Sequence, residues 1–264
     1  MRYYQNPMEM VKEVERELFE MGIHVQSDSS QNIQTKDNED YKTMELTGYG
    51  YKLQAPFTEE QLKEIASYLK IPYDWIEAEF SERIHPEGFK GESLNPGEAW
   101  KLRRNVWEHL LVPNLYEDEP EPYFSYTYGG RYYYQYDGFG SNQIDRVVNE
   151  LKENRNSRQV ILEMYMGNED AERWGARGDI DRGDPKHRIP CSMHYQFMIR
   201  NNKLYCMYVM RSCDFLTFFG SDIILTLKLQ NEIAKRVGIE PGIFTHFIGS
   251  LHAYYKDMKE RGIF

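Results

Sequence analysis

Cys191, Arg211 and Ser212 are the residues of this chain whose side-chain types and spacing best suit covalent chemistry on an anionic substrate. Cys191 follows a polar segment and directly precedes a predicted strand, so its thiol can face the mouth of a pocket. Arg211 and Ser212 end the next predicted strand, twenty residues further on. A nearby guanidinium stabilises the thiolate that nucleophilic attack requires, and a guanidinium with a hydroxyl suits a phosphate group. On position alone, a buried cysteine and a surface ion pair are the commoner explanations.

The predicted strands over 192–200 and 203–211 can bring these groups together. Asn201-Asn202 separates them and is typical of a tight hairpin turn, which returns the guanidinium to the start of the first strand. In a regular strand, Ser192 and His194 lie on one face, opposite the cysteine. We therefore expect His194 to be structural.

Hydrophobic periodicity predicts further elements around this hairpin. The predicted helices cover 7–22, 58–70, a segment opened by Pro72, 98–111, 142–153 and 222–237, and the other predicted strands cover 43–54 and 159–166. Thr58 and Gln61 form a capping-box pattern, and Gly238 suits the end of the last helix. Residues 167–188 are polar and predict a long loop. Helices and strands are mixed without a βαβ rhythm or a visible domain boundary, which predicts one α+β domain over 1–264.

The composition excludes several classes of protein. The chain has 264 residues, is 41% hydrophobic and carries a formal net charge of -10, so it can bury a core while its surface repels nucleic acid. It contains no apolar run of about 18 residues and no signal-peptide pattern, which predicts a cytoplasmic protein without a membrane partner. Its three cysteines lack zinc-site spacing, so we expect no metal.

Several short motifs occur in an order known from one enzyme family. In chain order they are Tyr128-Gly129, Asn156-Ser157-Arg158, Pro190-Cys191, Tyr195-Gln196-Phe197, Arg211-Ser212-Cys213-Asp214, Pro241-Gly242 and Gly249-Ser250-Leu251-His252-Ala253-Tyr254. Together they resemble the catalytic core of the thymidylate synthase family over roughly 123–258. The resemblance implies a large, bent, mixed β-sheet flanked by helices, with the sheets of two subunits packed back to back in a homodimer. It also implies 5,10-methylenetetrahydrofolate as the cofactor and a pyrimidine nucleoside monophosphate as the substrate.

The resemblance assigns nucleotide-binding roles to the matching residues. The implied contacts are Arg211, Ser212 and Arg158 of the partner subunit on the phosphate, His252 and Tyr254 on the sugar hydroxyl, and Asp222 on the base. The family's second phosphate-binding arginine is Gln159 here, which weakens phosphate binding unless Lys36, Arg155 or Lys186 compensates. If Arg158 of the partner subunit completes the phosphate site, a monomer would be inactive.

Catalytic roles follow from the same resemblance. Cys191 would add to C6 of the base, Tyr128 with ordered water would help to remove the C5 proton, and Asp214 would bind the pterin. Glu79 aligns with the family's water-organising glutamate, although Glu77 and Glu82 are rivals and a solvated surface charge explains Glu79 almost as well.

Two departures from the synthase pattern bear on the product. Asp222 stands where synthases keep the asparagine that reads uracil, and in this it resembles the deoxycytidylate hydroxymethylases; an aspartate there also suits a helix N-cap. The chain ends soon after Tyr254, without the synthase tail that closes over the folate, and a more open site would admit water. We therefore expect a dCMP hydroxymethylase. The alternatives are a methylating synthase acting on dUMP or dCMP, a CMP hydroxymethylase, and a nucleotide-binding relative without turnover.

Overall fold

The computed structural model of this chain describes most of the elements around the predicted hairpin. The described residues are 1–26, 38–84, 99, 111–112, 123–124, 126–133, 142–167, 170 and 189–263. The predicted helix over 98–111 and the predicted loop over 167–188 lie almost entirely outside them.

A mixed sheet of seven strands forms the framework. The strands of the chain are β1 (Arg2–Tyr4), β2 (Ile23–Gln26), β3 (Lys42–Gln54), β4 (Leu111–Val112), β5 (Tyr123–Phe124), β6 (Val160–Glu163), β7 (Ser192–Arg200), β8 (Lys203–Asp214) and β9 (Glu240–Tyr254). The seven-stranded sheet has the order β1-β3-β9-β8-β7-β6, with β2 also on β3, while β4 and β5 pair separately. β8 is parallel to β9 and β1 to β3, and the other pairs are antiparallel.

Local sequence signals explain where the helices begin and end. The helices are α1 (Pro7–Met21), α2 (Glu59–Tyr68), α3 (Tyr73–Ile84), α4 (Tyr128–Tyr132), α5 (Gln143–Glu153), α6 (Gly220–Val237) and α7 (Tyr255–Glu260). Asn6 accepts hydrogen bonds at the start of α1, and the capping box of Thr58 and Gln61 is present at α2. α6 ends at Gly238, whose φ of 81° is the left-handed conformation that glycine adopts at little cost. These elements confirm the predicted α+β class.

The β7–β8 hairpin forms as predicted. Asn201 and Asn202 have φ values of 51° and 57°, the positive pair that a type I′ turn requires. The turn aligns the two strands as an antiparallel pair. The chain then continues through α6 to β9, which lies parallel to β8 in the sheet.

The two faces of the sheet differ in burial. Leu204, Cys206 and Tyr208 of β8 are buried on the face against which α6 packs, whereas the alternate residues of the strand are half-buried. Ile161 and Phe247, on the second face, are each 38% exposed. The sheet therefore has one closed face and one open, partly apolar face. Among the described residues, no helix is long and apolar enough to span a membrane.

Candidate active site

Arg211 holds the backbone that leads into Cys191. Its backbone N–H donates to the carbonyl of Cys191 at 2.8 Å, and its guanidinium donates to the carbonyls of Pro190 at 3.0 Å and Ile189 at 2.8 Å. Cys191 is half-buried and its thiol forms no disulfide. The hairpin thus brings the predicted nucleophile and the predicted phosphate-binding guanidinium to the same end of the sheet.

Tyr128 and Asp222 lie close to the nucleophile. Burial raises the pKa of Tyr128 well above its ordinary value, and the nearby Tyr126, Cys191 and Asp222 raise it further. A hydrogen bond with Ser192 acts on the pKa in the opposite direction. The phenol is therefore un-ionised at neutral pH, as a group that shares a proton with ordered water must be.

A bulge at the start of β7 changes the predicted side-chain directions. Ser192 pairs with Met210 but His194 pairs with Val209, so the register shifts between them. Ser192 is fully buried and forms a hydrogen bond with the hydroxyl of Tyr208, whereas His194 is half-buried. The expectation that Ser192 and His194 share a face is wrong, because the extra residue of the bulge turns them to opposite faces.

Asp222 lies in the first turn of α6. The helix begins at Gly220, so the N-cap explanation of Asp222 is wrong. The thiol of Cys213 donates to Asp222 Oδ2 at 3.6 Å, and Asp222 lies close enough to Tyr51 and Tyr208 to raise the pKa of both, although burial is the larger cause. The carboxyl group is therefore oriented by its surroundings.

The end of β8 and the neighbouring part of β9 carry the remaining predicted binding residues. Ser212 pairs with Ser250 and Asp214 pairs with His252. His252 Nδ1 lies 3.4 Å from Ser250 Oγ, and its ring packs edge-on against Tyr254 at 5.3 Å between centroids. Asp214 is 9% exposed and accepts hydrogen bonds from two backbone N–H groups of a π-helical turn over 215–219, at 3.1 and 3.3 Å.

The three candidate glutamates of α3 have different partners. Glu79 Oε1 accepts a hydrogen bond from Arg83 Nε at 2.7 Å. Glu77 lies 2.7 Å from the ammonium of Lys228, and Glu82 accepts a hydrogen bond from the backbone N–H of residue 99 at 2.9 Å. Sequence reasoning missed Arg83, although its position four residues after Glu79 is the spacing of a helical ion pair.

Arg158 lies far from Cys191 of its own chain. Gln196 Nε2 donates to the carbonyl of Arg158 at 2.8 Å, and Val160 pairs with Phe197. Arg158 is therefore more than six residues along β7 from Cys191, roughly 20 Å at the rise of a strand. An arginine side chain does not span that distance.

Arg155, one of the three cations that could compensate for Gln159, is also away from Cys191. Arg155 Nη2 donates to Asn202 Oδ1 at 2.7 Å, at the opposite end of the hairpin. Gln159 is exposed, and Lys36 and Lys186 lie outside the described residues.

A buried stack of rings lies behind the candidate site, and no sequence pattern had indicated it. Tyr195 stacks on Tyr208 at 4.3 Å between centroids, and Tyr208 stacks on His246 at 4.9 Å. His246 Nδ1 is 2.9 Å from the hydroxyl of Tyr51, and burial lowers the pKa of His246 to about 3. His246 is therefore a neutral core residue. Tyr208, in the middle of the stack, forms the hydrogen bond with Ser192.

Comparison with known proteins identifies the family of this chain. The model of the family "Thymidylate synthase" matches residues 100–261. A protein of Methanocaldococcus jannaschii named "Putative thymidylate synthase" is 37% identical over 187 residues, which are 68% of this chain and 79% of that protein. A protein of Methanopyrus kandleri with the same name is 30% identical over 140 residues, 52% of this chain and 58% of that protein. The chain therefore belongs to the thymidylate synthase family of one-carbon transferases.

Proposed function

We propose that this protein transfers a hydroxymethyl group from 5,10-methylenetetrahydrofolate to C5 of dCMP. The observation that carries the proposal is the carboxyl group of Asp222 beside Tyr128 and Cys191. Cytosine presents an N4 amino donor, which a carboxylate accepts, whereas uracil presents an O4 acceptor, which it repels.

Cys191 is the proposed nucleophile. Its sulfur forms a bond to C6 of the base, and the electron pair of the C5–C6 double bond moves to C5. The carbon at C5 then attacks a one-carbon unit, which the folate supplies as a methylene group. Tyr128, whose pKa is raised, passes the C5 proton to ordered water. After loss of this proton, the bond between the transferred carbon and the folate nitrogen would break, tetrahydrofolate would leave, and an exocyclic methylene would remain on C5. Water then adds to the methylene carbon, the electron pair of the exocyclic double bond restores the C5–C6 double bond, and the sulfur leaves C6 with the electron pair of the C–S bond.

The phosphate site is proposed to need two subunits. Arg211 and Ser212 end β8 beside Cys191, whereas Arg158 of the same chain is roughly 20 Å or more away by strand register. A two-fold dimer that packs the open sheet faces together offers Arg158 of the partner subunit a route to this site. The exposed apolar side chains on that face favour such packing.

Asp214 suits the folate. A pterin ring presents N–H donors that a carboxylate accepts, and the side chain of Asp214 is held in place by the two backbone N–H groups of the turn at 215–219. His252 and Tyr254, beside Asp214 on β9, are proposed to bind the sugar hydroxyl. Glu79 is proposed to orient the water that becomes the new hydroxyl.

A methylating enzyme is the second candidate. Both relatives carry the name of a thymidylate synthase, which favours hydride transfer to the methylene and a methyl product on dUMP or dCMP. A CMP hydroxymethylase differs only at the 2′-hydroxyl, near His252 and Tyr254.

One assay separates these activities. The protein is incubated with methylenetetrahydrofolate and with dCMP, CMP or dUMP, each labelled with tritium at C5. We expect tritium release from dCMP without a rise in dihydrofolate absorbance. A parallel rise in that absorbance would mean that the product is methylated. Tritium release from CMP or dUMP instead of dCMP would mean that this other nucleotide is the substrate.

Two cysteine variants control the assay. Cys191→Ala should abolish release, because no other group bonds to C6. Cys206→Ala, which removes a buried thiol on β8, should retain it. No release by the wild-type protein from any nucleotide means that it binds nucleotides without turnover.

A further inference from the structure

Arg83 is a buried cation that sequence comparison with the family did not indicate. Its side chain is 7% exposed, and its Nε lies 2.7 Å from Glu79 Oε1, whose side chain is 22% exposed. Burial is the largest single influence and lowers the pKa of Arg83, but Glu79, Tyr132 and Tyr195 together raise it well above its ordinary value. The pair is therefore ionic within the protein interior.

The flat face of the same guanidinium touches the site. The guanidinium carbon of Arg83 lies 4.7 Å from the ring centroid of Tyr128 and 6.0 Å from that of Tyr132. These distances are those of cation–π contacts, which are strongest where water is excluded. Tyr128 in turn neighbours Cys191 and Asp222. One side chain thus contacts both Tyr128, to which we assign a proton transfer, and Glu79, to which we assign the orientation of water.

The two rival glutamates of α3 contact other groups. Glu77 pairs with Lys228, which also lies 3.5 Å from Glu59. Glu82 binds the backbone at residue 99. Glu79 is held by the cation that also contacts Tyr128.

We propose that Arg83 is a positioning residue that aims the Glu79 carboxylate and fixes the ring of Tyr128 during the reaction. The inference rests on the proposed one-carbon transfer. A guanidinium suits this task because its planar edge binds a carboxylate while its face stacks on an aromatic ring. A lysine carries the same charge but lacks the planar group that stacks on an aromatic ring.

Arg83→Met and Arg83→Lys test this role. For Arg83→Met we expect kcat for product formation to fall by about 10- to 100-fold, because small displacements of reacting groups are costly, while KM for the nucleotide changes by less than about threefold. For Arg83→Lys we expect partial recovery of kcat, since the ion pair returns and the stacked plane does not. Both variants are assayed with dCMP, CMP and dUMP and methylenetetrahydrofolate, per folded protein.

A double variant keeps the test valid if Arg83→Met folds poorly. Glu79→Gln with Arg83→Met removes both charges, so no carboxylate is left buried without its partner. If Arg83 acts mainly through Glu79, kcat of the double variant should match that of Glu79→Gln within about threefold. If Arg83 and Glu79 contributed independently, the fold-losses in kcat of the two single variants would instead multiply in the double variant.

Arg236→Met is the matched control. Arg236 binds Glu232 at 2.8 Å with the same four-residue spacing, on α6 and away from the hairpin mouth. We expect the kcat of the Arg236→Met variant to equal that of the wild-type protein. Unchanged kcat in Arg83→Met, or a loss confined to nucleotide KM, overturns the positioning role. If the wild-type protein releases no tritium from any nucleotide, the proposed function fails and this inference fails with it.

Discussion

Arg211 combines two tasks at the start of the hairpin. Its guanidinium fixes the backbone carbonyls of Ile189 and Pro190, and so it sets where the chain enters β7. A guanidinium has five N–H donors, which leaves others for a phosphate. One side chain therefore joins the proposed nucleophile to the proposed anion site, and a substitution at Arg211 is expected to disturb both.

Asp222→Asn should change the preferred base. The amide can donate to O4 of uracil, whereas the carboxylate cannot, so we expect the ratio of kcat/KM for dCMP over dUMP to fall by about 100-fold or more. Steady-state tritium release from both nucleotides measures this ratio. Asp145→Asn, which changes an acid in the first turn of α5, is the control and should leave the ratio unchanged.

An unchanged ratio in Asp222→Asn would mean that another residue reads the base. Loss of activity on both bases would instead mean that the carboxyl group holds the site together, through Cys213 or the neighbouring phenols.

The residues of the site were predictable to different degrees. The approach of Arg211 to Cys191 follows from a hairpin of known turn and length, which sequence reveals. The stacking of Arg83 on Tyr128 joins two helices that are distant in sequence, and no local pattern encodes such a contact. The bulge at Ser192 was missed for a similar reason, because one extra residue leaves the strand pattern almost unchanged.

At the scale of elements, the contact between β8 and β9 supports the anion site. An added Cβ at Gly249 would lie 2.7 Å from the backbone oxygen of Arg211, closer than real contacts allow. β9 can therefore approach β8 only because residue 249 has no side chain.

Gly249→Ala should push β9 away from Arg211. We expect a loss of about 1–3 kcal/mol in the free energy of unfolding, typical of overpacking, and a rise in nucleotide KM. Urea unfolding and steady-state kinetics measure the two effects. Gly167→Ala is a suitable control, since its added Cβ meets nothing within 4 Å. A variant with wild-type KM would show that the strand spacing is not critical there.

Asp257 on α7 should make stability depend on pH. Burial, together with the smaller effects of the Asp214 and Glu260 carboxylates, raises the pKa of Asp257 from 3.8 to about 6. A raised carboxyl pKa means that the folded state binds the proton more tightly, so this stability is present below the unfolded pKa and lost as pH rises through about 6. The side chain is partly solvated, so we expect an effect of only about 1 kcal/mol.

Asp257→Asn removes this dependence. Between pH 4 and pH 7, roughly the interval between the unfolded and folded pKa values, the variant should gain about 1 kcal/mol relative to the wild-type protein in urea unfolding. Asp145→Asn serves as the comparison, because its carboxylate is on the exposed side of α5. A constant difference across this range contradicts the assignment.

Long periodic elements were the best predicted. The helix over 142–153 and the strand over 43–54 are present within one residue, because each repeats its apolar pattern several times. β1 and β2 have only three and four residues and show no usable period. Both strands are stabilised by pairing with β3.

At the scale of the whole molecule, the open face of the sheet needs a cover. Ile161 and Phe247 are exposed there, and the half-buried residues of β8 on that face include Met207 and Val209. In the proposed dimer, a second copy of the chain would supply an equally apolar surface, and a two-fold axis would give each site Arg158 of the partner subunit. The distance between Arg158 and Cys191 within one chain then becomes a requirement for dimerisation.

Mixing two inactive variants tests this requirement. Cys191→Ser lacks the nucleophile and Arg158→Gln lacks the donated guanidinium, so each homodimer should be nearly inactive. Random exchange makes half of the dimers mixed, and each mixed dimer has one site with both groups, so about a quarter of all sites should be active. Tritium release from C5 after joint refolding should therefore recover to about a quarter of the wild-type value.

The open face provides the control for that recovery. Phe247→Glu in both variants places charges on the proposed interface and should prevent mixed dimers, which sedimentation would detect as monomers. Recovery that persists in these monomers, or full activity of Arg158→Gln alone, would mean that the phosphate is held within one chain. Because Arg155 is bound to Asn202 at the far turn, such a result would point to cations outside the described residues.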